Sequence, residues 1–214
     1  SQDAILNSSV LHHVTSFNGY RHQAAMDALA VQTSLVRTGG VIVVRDFLDP
    51  GPGDVLLDLP VDDLETLEYF ERFQIEFRKL LEPEWRGCKA AKIEGPEGWL
   101  RFQLSHTMAA EFVLRKDYRR DWDLEILEEY TYATQARFEE GLAGLGLRVL
   151  ASTPIWNPWI VANRFSGRFR LWSLDEERLD FPATNYVVVG QKVPPGEGVR
   201  LVPCGETLPM GYLE

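Results

Sequence analysis

Two adjacent histidines, His12 and His13, are the residues of this chain with the clearest capacity for chemistry. They follow Asn7 to Val10, a short stretch that itself follows an apolar run at residues 3–6. A histidine exchanges a proton near neutral pH, so either ring is a candidate general base. The alternative is that one of them caps or packs the following turn. Adjacent histidines rarely chelate one ion together, and the other two histidines add no ligand spacing, so no metal site is predicted.

A second polar group, Arg45 and Asp46, follows the apolar run at residues 41–44. Ligands of open α/β sheets bind beyond the carboxyl ends of the strands. The residues after both apolar runs are therefore expected at one rim of a sheet, where Arg45 and Asp46 would orient a substrate. The alternative for this pair is a surface ion pair, which contributes about 0–1 kcal/mol.

Amphipathic aromatic side chains form a third candidate group. Tyr118 and Tyr130 lie in a segment that also carries several arginines and lysines. Such a segment is a candidate lid that excludes water and meets an anionic substrate. Trp156 and Asn157 belong to a stretch in which two tryptophans lie beside two prolines, and it is predicted to form a wall of the site or an interface. Ordinary packing between elements is the alternative for all these rings.

The elements that would position these groups alternate between strand and helix. The patterns predict a strand at 3–6, a helix over 20–36 that Gly39 and Gly40 stop, and a strand at 41–44. The continuous β-branched run at 41–44 is typical of burial on both faces of a parallel sheet. Further elements are predicted as follows: helices over 64–81, 107–114 and 122–145, the last broken near 131–134 with Thr134 as a cap, strands over 147–151 and 186–193, and a hairpin over 169–181.

Composition and charge limit the partners that the chain is expected to have. Of its 214 residues, 45% are hydrophobic and 25% charged, which is the range of globular proteins. No apolar run reaches the roughly 18 residues of a membrane span, and the two cysteines lack CxxC spacing, so a cytoplasmic protein without a membrane partner is expected. The formal net charge of −10 repels phosphate backbones, so nucleic acid is not an expected partner.

The order of these segments resembles the C-terminal half of the class I, Rossmann-like S-adenosylmethionine-dependent methyltransferases. The stretches DAILNSSVLHHV and LVRTGGVIVVRDFLDP are similar to the fourth and fifth strands of that family and their flanking residues. TQARFEEGLAGLGLRVLA is similar to the helix that leads into its sixth strand, and TNYVVVGQKV to its closing antiparallel seventh strand. The resemblance covers about residues 3–50 and 134–193.

The resemblance implies an α/β fold, with a partial methyltransferase sheet of family strands 4, 5, 6 and 7 and a mainly helical insertion. The implied division is as follows: the strand–helix–strand part of the core at 1–50, the insertion at 51–133 as a possible lid or acceptor-binding region, the C-terminal part of the core at 134–193, and a tail or linker at 194–214. It also implies positions for site residues. Asn7, Ser8, Ser9 and Val10 would lie under the methionine part of the cofactor, and His12 or His13 near the acceptor.

The half of the family's fold that mainly binds the cofactor has no counterpart in this sequence. That half contains a glycine-rich loop after the first strand and an acidic residue at the end of the second. Three short glycine stretches here, at 51–53, 144–146 and 196–198, do not fit a loop between a strand and a helix with free N–H donors. S-adenosylmethionine is therefore expected to bind weakly or not at all to this chain alone. A missing N-terminal half or a partner chain, in a possible homo-oligomer, is expected to supply the first strands.

Three functions remain open at this point. The first is transfer of a methyl group from S-adenosylmethionine to a small-molecule acceptor, once an N-terminal half completes the domain. The second is a non-catalytic or degenerate methyltransferase-fold module for interaction or regulation, because exposed sheet edges demand a partner. The third is another Rossmann-like enzyme, such as a nicotinamide oxidoreductase, and the absent glycine fingerprint counts equally against it.

Overall fold

The computed structural model describes residues 1–194 of the chain. These residues form a mixed α/β fold with two four-stranded sheets. The predicted tail or linker at 194–214 lies outside the described residues, apart from Pro194.

The first sheet carries the predicted strand–helix–strand unit. It contains β1 (Gln2–Ser8), β2 (Val36–Asp46), β6 (Leu147–Ile155) and β8 (Asn185–Lys192), in the order β1-β2-β8-β6. Strand β1 is parallel to β2, whereas β8 is antiparallel to both of its neighbours. Two helices, α1 (Leu11–Ser16) and α2 (Gln23–Leu35), connect β1 to β2. Three strands of this sheet therefore point one way and β8 points the other.

The predicted stop signal Gly39-Gly40 lies inside β2, which begins before the predicted strand at 41–44. A glycine is required at this point of β2 because the backbones of β1 and β2 approach each other closely. A Cβ atom at Gly40 would come within 2.7 Å of the carbonyl oxygen of Asp3 in β1. The glycine therefore permits close pairing of the two strands and does not end α2, which stops at Leu35.

The second sheet is antiparallel throughout. It contains β3 (Asp54–Pro60), β4 (Ala91–Ile93), β5 (Trp99–Ser105) and β7 (Arg170–Trp172), in the order β4-β5-β3-β7. Only its strand β7 lies in a segment predicted as strand, the hairpin over 169–181, where Trp172 forms an antiparallel bridge with Arg178. The segment 51–133 thus supplies three strands beside its helices, and β7 comes from the segment predicted as the C-terminal core. The predicted boundary at 133–134 therefore does not separate the two sheets.

The remaining helices pack on these sheets. Their bounds are as follows: α3 (Leu64–Glu76), α4 (His106–Arg115), α5 (Trp122–Glu125), α6 (Gln135–Gly144) and α7 (Pro158–Ile160), with 3-10 turns at Pro83–Trp85 and Arg119–Asp121 and a π-helical turn at Val161–Phe165. Thr134 caps α6 by accepting a hydrogen bond from the backbone N–H of Arg137 at 3.2 Å, which confirms that predicted cap. The predicted helices over 64–81 and 122–145 are shorter, and residues 126–134 between α5 and α6 are not helical.

Only one face of the first sheet is covered by the described residues. Ile42 and Val44 lie in a core with residues of α2 and α6, whereas Val41 and Val43 belong to neither of the two buried cores of residues 1–194. The expected burial of the run 41–44 on both faces is therefore not met within this part of the chain.

Candidate functional site

The carboxylate of Asp46 is the centre of a buried polar group at the carboxyl ends of β1 and β2. It is fully buried, and it accepts hydrogen bonds from the backbone N–H groups of Leu11 at 2.9 Å and His12 at 3.1 Å. The backbone N–H of Phe47 at 2.9 Å and the hydroxyl of Tyr132 at 3.2 Å also donate to it. The fifth partner is Nδ1 of His12, at 2.7 Å. Asp46 thus fastens the start of α1 to the end of β2.

His12 is held between two carboxylates. Its Nε2 atom lies 3.4 Å from Glu128 Oε2, opposite the Nδ1 contact with Asp46. Burial alone would lower the pKa of His12, but the hydrogen bonds and charges of Asp46 and Glu128 outweigh it and raise the pKa to about 9. At neutral pH the ring is therefore an imidazolium, which has no lone pair to accept a proton.

His13 fits the role of a general base better than His12 does. Its side chain is 41% exposed, and its Nδ1 atom lies 3.2 Å from Glu128 Oε1. The ring also stacks on Phe17, with centroids 6.1 Å apart, and lies 4.1 Å from the ring of His12. Because Glu128 engages Nδ1, Nε2 is the atom that would accept a proton from a substrate.

Glu128 is the site residue that sequence reasoning missed. It lies in the non-helical segment 126–134, which crosses the rim of the first sheet. Arg115 donates a hydrogen bond to the carbonyl of Glu128 at 3.0 Å, and the N–H of Glu129 donates to Ser16 at 2.8 Å. The run of acidic residues here is typical of the solvated face of a helix, so no local signal distinguishes Glu128 from its neighbours.

Tyr130, a predicted substrate-binding residue, is buried beneath the site. Its ring stacks on Phe47 at 4.1 Å between centroids and meets His12 edge-on at 5.5 Å. The guanidinium of Arg115 lies over its other side, 4.3 Å from the ring centroid, and forms a fully buried ion pair with Glu111. Tyr130 therefore supports the histidine pair instead of reaching the solvent.

The two histidines and Glu128 could also hold a metal ion. One ligand atom from each side chain lies within 4.8 Å of the others, and Asp46 binds the remaining ring nitrogen of His12, as carboxylates behind metal-bound histidines do. The prediction of no metal site considered only histidine spacing and left Glu128 out. The ion pairs described above account for this cluster, so we assign no metal to it.

A separate cleft of about 150 Å³ opens at the same rim. Three predicted site residues line it: Ser9, Arg45 and Tyr118. Arg164 and Asn185 line it as well, although neither was predicted as a site residue. Phe47 separates this cleft from the histidines, because it lines the cleft and meets His12 edge-on at 5.1 Å. Neither histidine lines the cleft.

The predicted cofactor residues have different positions. Asn7 is buried and exchanges two hydrogen bonds with Gln32 of α2, at 2.8 and 2.9 Å, so its side chain anchors that helix. The hydroxyl of Ser8 accepts a hydrogen bond from Arg45 at 3.4 Å. Val10 precedes α1 and is 39% exposed. Of the stretch 7–10, only Ser9 therefore lines the cleft.

Trp156 and Asn157 do not line the cleft and have local partners instead. The indole N–H of Trp156 donates to the carbonyl of Phe181 at 2.8 Å. The side chain of Asn157 caps α7 by accepting from the backbone N–H of Trp159 at 2.9 Å. The backbone N–H of Asn157 donates to Thr184, which does line the cleft, at 2.9 Å. These two residues thus form a support behind one wall.

The charge of His12 predicts that the protein loses stability as the pH rises. Its pKa is 6.5 in an unfolded chain and about 9 in the fold, so only the folded state keeps the proton between these values. This stabilisation is complete below pH 6.5 and is lost as the pH rises through 9. It corresponds to about 3 kcal/mol in the free energy of unfolding, measured by urea denaturation. A His12→Gln variant should lack this loss, and an equal loss in both proteins would contradict the assignment.

The comparisons with known proteins do not indicate a function, so the assignment rests on the site and on the first sheet. Among residues 1–194, none of the helices has the length and apolar character that a membrane span requires. No model of a known protein family, no curated protein and no solved structure matches this chain.

Proposed function

We propose that this chain forms the C-terminal part of an S-adenosylmethionine-dependent methyltransferase-like domain that acts on a small-molecule acceptor. The observation that carries the proposal is the first sheet. Its strands β1 and β2 are parallel neighbours joined through helices, and β8 is antiparallel to the other three. The family resemblance implies four strands with these relative directions, in which the last strand along the chain is antiparallel to the others. It also implies polar residues after the first two strands.

The open side of the first sheet supports completion of the domain by further strands and helices. Within residues 1–194, β1 pairs with β2 alone. The side chain of Leu6 in β1 is 68% exposed. Leu6 is paired in register with Val43 of β2, and Val43 is paired in register with Val189 of β8. An unpaired strand edge beside an apolar sheet face is a surface that proteins cover. The proposed cover is the first half of the methyltransferase fold, from an upstream segment or a partner chain.

The chemistry that we propose for the rim is alignment and proton removal. S-adenosylmethionine would supply a methyl group from its sulfonium centre. The rim cleft would hold one end of an acceptor that extends past Phe47, so that its nucleophilic atom lies beside His13 and in line with the methyl group. The segment 126–134 would limit the access of water. His13 would accept the proton that the acceptor loses, while Glu128 keeps its ring in place.

A second candidate function is a non-catalytic interaction module on the same fold. Two observations favour it: neither histidine lines the cleft, and the face around Leu6, Val43 and Val189 calls for a partner whatever the chemistry. Cofactor binding distinguishes the two functions, because a degenerate module has no need to bind S-adenosylmethionine once the missing strands are supplied.

We expect titration calorimetry to show no tight binding of S-adenosylmethionine to this chain alone. The physical reason is that residues 1–194 contain no glycine-rich loop between a strand and a helix. The family's acidic residue after its second strand also has no counterpart in the sequence. The same titration on the product of the complete reading frame, or on the complex isolated with the chain, should show binding. A low-micromolar dissociation constant for the chain alone would contradict the proposed split, and no binding by the completed protein would favour the interaction module.

A further inference from the structure

We infer that the rim cleft binds a small organic anion that joins a carboxylate to an apolar body. The inference begins with two arginines, Arg45 and Arg164, that line the cleft. In the described part of the chain, neither of them forms an ion pair with an acidic side chain. Two uncompensated positive charges at one concave site are unexpected in a chain whose formal net charge is −10. Together they attract and orient an anionic ligand.

Within residues 1–194, the hydrogen-bond partners of the Arg45 side chain are all neutral. It donates to the hydroxyl of Ser9 at 3.0 Å, to the side-chain oxygen of Asn185 at 2.7 Å and, at 3.4 Å, to the hydroxyl of Ser8. A guanidinium has about five N–H donors, so these bonds leave others for a ligand. The three partners fix the plane of the group and do not neutralise its charge.

Arg164 is held by aromatic rings. Its guanidinium lies 5.1 Å from the ring centroid of Tyr118 and 5.6 Å from that of Trp159. Contact with the face of a ring leaves the N–H groups at the edge of the guanidinium free for hydrogen bonds. Both cations are therefore oriented before a ligand arrives, which lowers the entropy cost of binding.

The rest of the lining indicates which kind of anion fits. The apolar side chains of the wall are Phe47, Leu114, Ile160 and Phe165. They suit a hydrocarbon or aromatic body, and a carboxylate matches the fork of a guanidinium. The volume of about 150 Å³ is below that of sites for drug-sized ligands, so the ligand is a small acid or the acidic end of a larger molecule.

This inference rests in one respect on the proposed function, because it identifies the bound acid as the methyl acceptor. Anion binding itself requires neither S-adenosylmethionine nor completion of the domain. The cleft is lined by residues of this chain, so the binding test uses the full chain without additions.

The test is a titration of the full chain with benzoate, followed by ligand-observed NMR, with benzamide as the neutral analogue. Benzoate should bind at least about tenfold more tightly than benzamide, because hydrogen bonds to charged groups contribute more than neutral ones. Arg45→Gln and Arg164→Gln should each weaken benzoate binding by about tenfold. Arg168→Gln makes the same change of charge at an exposed arginine that does not line the cleft, and it should leave binding unchanged.

The other possible results of this titration each support or overturn part of the inference. Equal binding of benzamide and benzoate would overturn the inference, and so would equal losses in Arg168→Gln and the two cleft variants. Binding of phenyl phosphate without binding of benzoate would overturn the assignment to a carboxylate. If Arg45→Gln lowers the melting temperature, Arg45→Lys replaces it, and the loss of the forked donor should still weaken binding. Benzoate binding by a completed protein that does not bind S-adenosylmethionine would support the anion site and remove the methyltransferase proposal.

Discussion

Replacing Asp46 with alanine is expected to lower the free energy of unfolding by about 3–5 kcal/mol, the usual effect of breaking a buried ion pair. The substitution removes the acceptor of five hydrogen bonds and leaves the buried imidazolium of His12 without its nearest counter-charge. It also frees the backbone N–H groups at the start of α1. Urea denaturation near neutral pH measures the effect.

Asp3→Ala is the matched control for that experiment. Asp3 forms an ion pair with Arg37, but its side chain is 83% exposed, so its loss should change the free energy of unfolding by less than about 1 kcal/mol. If Asp46→Ala costs no more than Asp3→Ala, Asp46 does not fasten α1 to β2.

Replacing His13 with glutamine is expected to lower turnover of the completed protein by about 10²–10⁴-fold, the range for a positioned acid–base group. The melting temperature should stay near that of the unaltered protein, because the His13 side chain is 41% exposed. The affinity for S-adenosylmethionine should also stay constant, since a base acts on the acceptor. Turnover and melting temperature are measured on one preparation.

The same substitution one residue earlier, His12→Gln, is the control. His12 is buried between Asp46 and Glu128, so this variant should lose stability. A lower melting temperature with near-normal turnover per folded molecule in His13→Gln would show that His13 packs and is not a base. Normal turnover with an unchanged melting temperature would exclude both roles for His13.

The parts of the fold that local pattern and period determine could be predicted from the sequence. The β-branched run at 41–44 and the helical spacing before it predict β2 and α2, and Thr134 predicts the start of α6. The carboxyl ends of parallel strands lie at the same edge of a sheet. This rule predicts that Asp46 lies near the histidines, although Asp46 and His12 are 34 positions apart in the sequence.

Strands β3 and β5 of the second sheet could not be predicted in this way, because a buried ion pair interrupts their alternation of apolar and polar residues. Asp58 of β3 and Arg101 of β5 are paired in register and are both buried, with Nε of Arg101 2.7 Å from Asp58 Oδ1. Charged residues at buried positions disrupt the alternation of apolar and polar residues by which strands are recognised. Strand β7 lies within the predicted hairpin over 169–181, but local alternation does not indicate its pairing with the distant residues of β3.

Glu128 and Arg164 could not be predicted because tertiary contacts alone assign their roles. Glu128 lies in a run that reads as helical, and contacts of residues 126–134 with α1 and α4 hold that run in a non-helical form. Arg164 reaches the cleft from the π-helical turn, where its position depends on the ring of Tyr118 more than 40 residues earlier.

Amide hydrogen exchange of the completed protein, with and without S-adenosylmethionine, provides the most direct test of the proposed methyltransferase site. The proposal predicts slower exchange on cofactor binding at residues 8–13 and 45–47, which lie at and beyond the carboxyl ends of β1 and β2. The amides of β5 in the second sheet serve as the internal control and should not change. Cofactor binding that leaves residues 8–13 and 45–47 unprotected would contradict the proposed site, as would a completed protein that binds no S-adenosylmethionine.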